Sequence, residues 1–437
     1  METAKRQLRP LARYFAWSSL RDGRWILLLI LLAYFVTFTA LKHWCGREAA
    51  WETLGVSSGY PSFLDLRFVT GTLEGSAAGF DPYVENPFDP YQRRMNYPRI
   101  WLSLAGLGLK ERHTVPLGIG LTVIYFAVLL LWAGRTNPIE SLLLGLFLCS
   151  PRLMWVIERG NVDMVILTLL ILALLLARWR SKLRPLLLLM VLFTAILKLY
   201  PIAGIWVAAR NRFGRAVAWI AVPLLIFAAY LYFTWADVLR TIEYTPRITW
   251  WSYGSVVAFE IMEFLLRWMA GIRIPGWWLA AASLAAVAVA GVIAVQLARR
   301  LRGAPCESPA HIDAFLVGSG IYAGTFLIGT NFDYKLIFLI LLLPQTFEWM
   351  RDRGGFAATA AALLWAIMLS VWAESLIMWV RQRPTSWPPT MGVMLQELAN
   401  WMLWVLIVAI NLRLVAQWIR QWRAPAPLPA ATSAAGS

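Results

Sequence analysis

Apolar runs long enough to cross a lipid bilayer recur along the chain, from Trp25–Leu41 to 394–417. A hydrocarbon core of about 30 Å takes roughly 20 apolar residues of α-helix at about 1.5 Å each. That length predicts spans near 25–41, 115–134, 139–157, 162–177, 216–235, 277–298, 312–330, 336–350, 356–378 and 394–417. Residues 185–209 differ, because cationic clusters flank both ends and Lys198-Leu199-Tyr200-Pro201 breaks the middle, which predicts a hairpin that enters and leaves on one face. The run Arg99–Leu109 would reach only about 16 Å as an α-helix, so it reads as re-entrant or interfacial. Tyr253–Ala270 sets Glu260, Glu263 and Arg267 among Val256, Phe259, Ile261 and Leu265, the pattern of a surface amphipathic helix, and stands outside the search for a site. The expectation is an all-α polytopic membrane protein. It is a helical bundle of about ten full spans plus re-entrant or short helices, forming one domain over residues 1–423. The Ala- and Pro-rich tail 424–437 is too poor in burial to order itself.

Composition supports this, with 59% hydrophobic and 15% charged residues against about 45–50% and 25% in soluble domains. The net charge of +16 could suggest nucleic-acid binding, but Lys and Arg fall in short clusters between apolar runs and build no continuous basic face. The clusters instead set orientation, because cationic loops are retained in the cytoplasm. Lys5, Arg6, Arg9, Arg13, Arg21 and Arg24 place the N-terminus inside. Arg178–Arg184, Arg210–Arg215, Arg299–Arg302, Arg351 with Arg353, and Arg420 with Arg423 mark the later cytoplasmic loops and the C-terminus. With those anchors 42–114 is a large first extracytoplasmic loop. The first span should be retained, since Leu41-Lys42-His43-Trp44 offers no small-residue cleavage site. Without an endoplasmic-reticulum retrieval motif, a bacterial inner membrane is the expected location. Cys45, Cys149 and Cys306 are scattered, and His43, His113 and His311 lack metal-ligand spacing. No metal or cofactor is expected, with a loosely held divalent ion on Asp65 or Asp81 left open.

Polar residues are costly at membrane depth, so those that interrupt apolar runs are the functional candidates. By the threading above, nearly all fall on the outer side. They are Asp65, the turn Gly79-Phe80-Asp81-Pro82-Tyr83, Asn86-Pro87-Phe88-Asp89-Pro90-Tyr91-Gln92-Arg93-Arg94, Asn96-Tyr97-Pro98-Arg99, Glu158-Arg159-Gly160-Asn161-Val162-Asp163, Lys198 with Tyr200, and Asn331-Phe332-Asp333-Tyr334-Lys335. A cavity at the outer face follows. Structural roles compete at each position. Asp65 could merely shape an interfacial helix, Asp81-Pro82 and Asp89-Pro90 have the form of helix-start pairs, Glu158 could pair with Arg159, and Lys198 could snorkel.

The first-loop Asp, Gly-Phe-Asp-Pro-Tyr, Asn-Tyr-Pro, Arg159-Gly160-Asn161-Val162-Asp163 and Lys198-Leu199-Tyr200-Pro201, in this order, resemble glycosyltransferase family 87. The resemblance runs from about Asp65 to Tyr334. It implies a GT-C fold, a polyprenyl-phosphate-linked sugar donor, most often mannose, and an acidic catalytic base early in the first loop, which is Asp65. Asp81 and Asp89 share that loop. A lipid-phosphate donor leaves as an anion, so an inverting transfer needs one carboxylate to take the acceptor proton and cations on the phosphate. Arg159, Lys198, Lys335 and Arg99 are the outer-side cations for that phosphate. Asp81, Asn96, Tyr97, Asn161, Asp163, Tyr200 and Asp333 are expected to bind substrate or support those groups. No P-loop-type motif is present, which suits a lipid-linked donor over a nucleotide sugar. The partners are then the donor, a cell-envelope glycan or glycolipid acceptor and the bilayer. A transporter or flippase and a glycan polymerase or ligase are the rival readings. The absence of repeated halves and the early position of the longest outer loop count against them.

Overall fold

The computed structural model describes residues 23–423 except 135, 302–304, 306, 310, 353–354 and 382–389. The cationic residues Lys5 to Arg21, Arg302, Arg353, Cys306 and the tail 424–437 therefore lie outside the described residues. Within them the regular structure is helical apart from a two-residue antiparallel ladder, Ser252 opposite Phe332 and Tyr253 opposite Asn331. Among the described residues six helices are long and apolar enough to cross a membrane: Arg24–Cys45, Glu111–Ala133, Val162–Trp179, Phe213–Phe233, Gly276–Arg300 and Gly392–Trp422. The pair Pro138–Leu148 and Pro151–Arg159, bent by 54°, adds a seventh when its two helices are counted as one span. The chain is a polytopic membrane protein of all-α class.

Long-range contacts sort the loops onto two faces. On one face Gly23 donates its backbone N–H to Thr136 O at 2.9 Å, and Arg351 Nε donates to Glu140 at 2.6 Å. Trp418 Nε1 there donates to Glu307 at 2.6 Å. Arg184 and Arg210 also meet on this face, both on Asp313 Oδ1, at 2.8 and 3.0 Å. On the other face Arg47 pairs with Glu158, Glu111 N donates to Glu74 and the short ladder forms. The first face collects described cationic loops, and the second collects the polar candidates.

The hairpin expected over 185–209 is defined by these contacts. Its legs are the α-helix Arg184–Lys198 and the 3₁₀ helix Tyr200–Arg210. Fifteen residues at about 1.5 Å and eleven at about 2.0 Å both give roughly 22 Å, so the legs match in length although not in residue number. The feet share Asp313. At the apex Leu199 turns the chain at φ 46°, a left-handed conformation that costs a non-glycine residue of order 1 kcal/mol or more and is held by the packing around it.

The expected spans change in three places. Residues 139–157 form a bent pair rather than one helix, because Ser150-Pro151 restarts the chain and Pro151 has no N–H to continue the first helix. The expected span at 336–350 is a 3₁₀ helix, Asp333–Leu342, followed by the α-helix Leu343–Arg351. Together they reach about 33 Å through the centre of the bundle, and every residue from Leu336 to Leu343 is buried. Ile312–Leu327 is apolar but shorter than a full span, whereas the helix Ala357–Arg381 covers the expected 356–378. The 99–109 run resolves as a 3₁₀ helix, Arg99–Leu107, that buries none of its residues and is therefore interfacial. Trp101 Nε1 anchors it by donating to Leu197 O at 3.0 Å.

Asp81 and Asp89 cap turns instead of starting helices. Asp81 accepts from Tyr83 N at 3.1 Å, and Asp89 from Tyr91 N and Arg93 N at 3.1 and 3.0 Å. The 3₁₀ helix Asp333–Leu342 begins at a buried ion pair, Arg152 Nε to Asp333 Oδ2 at 3.2 Å, with Gln396 donating to Asp333 Oδ1 at 3.0 Å. Arg152→Met leaves that carboxylate without its cation and is expected to cost about 3–5 kcal/mol. Adding Asp333→Asn should recover much of the loss in thermal unfolding of the detergent-solubilised protein; equal unfolding of wild type and the single variant would deny the pair its structural role.

Candidate active site

The site is assembled around the Arg159-Gly160-Asn161 turn. Pro151–Arg159 ends at Gly160, which takes φ 60°, a left-handed conformation that a residue without Cβ adopts at no steric cost. A Cβ at this position would lie 3.0 Å from Leu66 Cβ and 3.2 Å from Phe63 Cβ. The helix Leu64–Ala77 of the first loop thus presses directly on the turn, and Phe63 N donates to Glu158 O at 3.2 Å. Asp65, in the first turn of that helix, is held against the residues on either side of Gly160.

Asp65 Oδ1 accepts from Arg159 Nε at 3.1 Å and Nη2 at 2.6 Å, and Oδ2 accepts from Asn161 Nδ2 at 2.6 Å. Arg93 Nη1 stands 3.7 Å from Oδ1, itself fixed by donating to Asp89 and to Leu64 O. Burial alone would raise the Asp65 pKa. The Arg159 charge and hydrogen bond, then Arg93 and Asn161, outweigh it and hold the carboxyl below its ordinary value. The sign follows directly: stability from this cage is fully present above the ordinary carboxylate pKa of about 4 and is lost as pH falls through the lowered folded value.

Asn161 carries the network onward. It caps the Val162–Trp179 helix by accepting from Asp163 N at 3.0 Å, and its Oδ1 also accepts from Lys198 Nζ at 3.1 Å. Asp163 Oδ1 accepts from Lys198 Nζ at 2.6 Å and from Tyr200 OH at 2.7 Å. The apex of the hairpin is thereby tied to the start of the neighbouring span. Lys335 comes in from the buried 3₁₀ helix, donates to the neutral Asn331 Oδ1 and lies 4.8 Å from the centre of the Tyr200 ring. It forms no ion pair with a carboxylate among the described residues. Lys198 lies 5.4 and 5.3 Å from the Tyr97 and Tyr334 ring centres.

These groups line one cavity of about 1140 Å³. Asp65, Asn96, Tyr97, Arg159, Lys198, Tyr200 and Lys335 all reach its wall, so these sequence candidates from five separate segments meet. Asn161 and Asp163 sit immediately behind it, nearly inaccessible. Three candidates do not join. Arg99 clamps Asp237 with Nε at 2.6 Å and Nη2 at 3.0 Å outside the cavity lining. Asp81 stays in its exposed turn. Asp333 faces Arg152 and Gln396 in the interior. Glu158 pairs with Arg47 at 3.1 Å, while the Arg159 fork turns to Asp65.

The sequence reading placed Arg93 and Tyr334 in the outer polar segments without giving either a role, and it missed Trp155, whose ring meets that of Tyr334 at 5.5 Å in the cavity wall. It also missed Glu260. The helix Val257–Ala270, set aside as surface, turns this carboxylate to the cavity and holds it with Thr249 and Thr330. Among the described residues no three His, Cys, Asp or Glu side chains converge on a point that could hold a metal ion.

A carboxylate and two lysines converging on a cavity at one face of an apolar bundle is an arrangement suited to group transfer at a membrane surface. The model of glycosyltransferase family 87 matches residues 114–320, which include the Arg159–Asp163 turn and the Lys198–Pro201 apex. The match covers a little under half of the chain, and the class it supports is a membrane glycosyltransferase. The match is narrower than the resemblance read from the motifs and leaves Asp65 and Lys335 outside it. No curated protein and no solved structure matches the chain.

Proposed function

We propose that the protein transfers a sugar, mannose as the first choice, from a polyprenyl-phosphate donor to a cell-envelope glycan or glycolipid, with inversion at the anomeric carbon and within a GT-C-type bundle. The observation that carries this reading is Asp65, held ionised at the cavity wall where Lys198 and Lys335 also stand. A carboxylate has about four lone-pair sites on its two oxygens. Asp65 Oδ2 gives one to Asn161, which leaves capacity for an acceptor hydroxyl. In the proposed step that hydroxyl loses its proton to Asp65, its oxygen bonds to the anomeric carbon, and the carbon–oxygen bond to phosphate breaks. The electron pair departs with the phosphate, whose added charge is met by Lys335 and Lys198. Arg159 moves in this scheme from binding phosphate to holding the base.

The cavity suits two substrates. Small-molecule sites commonly occupy about 300–1,000 Å³, and this one is larger and is walled on one side by Phe227, Leu231 and Leu279 of two peripheral apolar helices, a surface fit for a polyprenyl chain. By the distribution of cationic loops, the cavity faces away from the cytoplasm of a bacterial inner membrane and both termini lie inside. The test is purified protein in lipid nanodiscs with a panel of polyprenyl-phosphate hexoses and nucleotide sugars. Turnover only with lipid-linked donors is expected. Transfer from a nucleotide sugar alone would discard the donor assignment, and preference for another hexose would replace mannose.

A further inference from the structure

At the face opposite the active site, a second cleft of about 310 Å³ opens beside the feet of the hairpin, against the first turns of Phe213–Phe233. Lys182, Arg184 and Arg215 line it, with Asn211 and Trp219 beside them and no acidic residue. Its floor is apolar, formed in part by Leu187 and Val207. We infer that this cleft binds the phosphate headgroup of an anionic phospholipid.

Charge is the first argument. Lys182 and Arg215 are exposed and form no ion pair with any described residue. Arg184 gives one nitrogen to Asp313, and Arg210, which also meets Asp313, stays outside the lining. Three cations therefore line one cleft, while Asp313, the carboxylate that Arg184 meets, is already shared with Arg210. Position is the second argument. The cleft lies where two membrane-embedded elements end, at the depth of lipid headgroups. Leu189 and Val217, 60% and 50% exposed, carry the apolar surface outward from it. Basic clefts between membrane helices are suited to such headgroups, and a tryptophan at this level fits the interface. Free phosphate would satisfy the cations but leave the flanking apolar surface unused. Residues 424–437 contain no Asp or Glu to serve as an internal occupant.

The test uses the full-length protein in a neutral detergent, with retained lipid counted by native mass spectrometry. The wild type should hold phosphatidylglycerol in preference to phosphatidylcholine and keep it when inorganic phosphate is added. The double variant Lys182→Ala with Arg215→Ala should weaken retention about 10- to 30-fold, from the loss of two interfacial charges. Lys182→Arg with Arg215→Lys should restore it. Both variants should keep sugar transfer, which shows that they fold. Retention of phosphatidylglycerol by the alanine variant at the wild-type level overturns the inference. So does equal retention of phosphatidylcholine, and displacement by inorganic phosphate would reassign the cleft to free phosphate.

Discussion

Asp65→Asn should lower sugar transfer about 10²–10⁴-fold, the range for a lost general base, with donor binding close to that of the wild type. The substitution keeps the shape of the side chain and one oxygen for Arg159, so the Leu64–Ala77 helix still has a partner at the Gly160 turn. What it removes is the ability to take a proton. Donor binding rests in the proposed scheme on Lys198 and Lys335, which approach from other elements. Asp81→Asn is the matched control: its carboxylate holds only a local turn, and the change should cost about 1 kcal/mol or less with turnover intact. A folded, inactive Asp81→Asn protein beside an active Asp65→Asn protein would move the base to Asp81.

The second large effect belongs to Arg159. Arg159→Gln takes away the leading favourable charge on Asp65 while burial stays, so the carboxyl pKa rises. The acidic limb of the pH–rate profile should move to higher pH, and transfer at neutral pH should fall about tenfold or more as the base loses its orientation. Arg159→Lys should return part of the charge effect without the two-nitrogen contact, since an ammonium is a point charge and not a planar fork. Donor affinity separates the two roles open to this residue. A variant that loses donor binding but keeps the wild-type acidic limb would give Arg159 back to the phosphate.

Much of this architecture could be read from charge and length. Cations at both ends of 185–209, with a break at Lys198-Leu199-Tyr200-Pro201, sufficed to predict a hairpin, and the one-sided distribution of polar residues sufficed to predict a cavity. The 3₁₀ form of Tyr200–Arg210 and Asp333–Leu342 was not legible. Where nearly every position is apolar, a period of 3.0 has no polar contrast against which to be told from 3.6. That hidden geometry explains the error at Asp333. At about 120° per residue, two positions of a 3₁₀ helix do not share a face, so Lys335 meets the cavity while Asp333 turns to Arg152. Arg99 failed for another reason: its partner Asp237 is 138 positions away, and nothing in local spacing pairs them. Asp65 and Arg159 could be placed near one another from sequence because each interrupts or ends an apolar run at the same face.

The shared carboxylate at the feet of the hairpin has a consequence for the timing of biosynthesis. Asp313 follows Arg184 by 129 positions, which at about 5–20 residues per second puts its emergence roughly ten seconds later. Until then both legs end in cations that lack this partner, and neither leg has the length to settle as an independent span. The clamp on the feet must therefore wait for a part of the chain still being translated, although the apex partners Asn161 and Asp163 have already emerged. A nascent protein halted before residue 313 would already contain the whole hairpin sequence, yet would lack the clamp that fixes its depth.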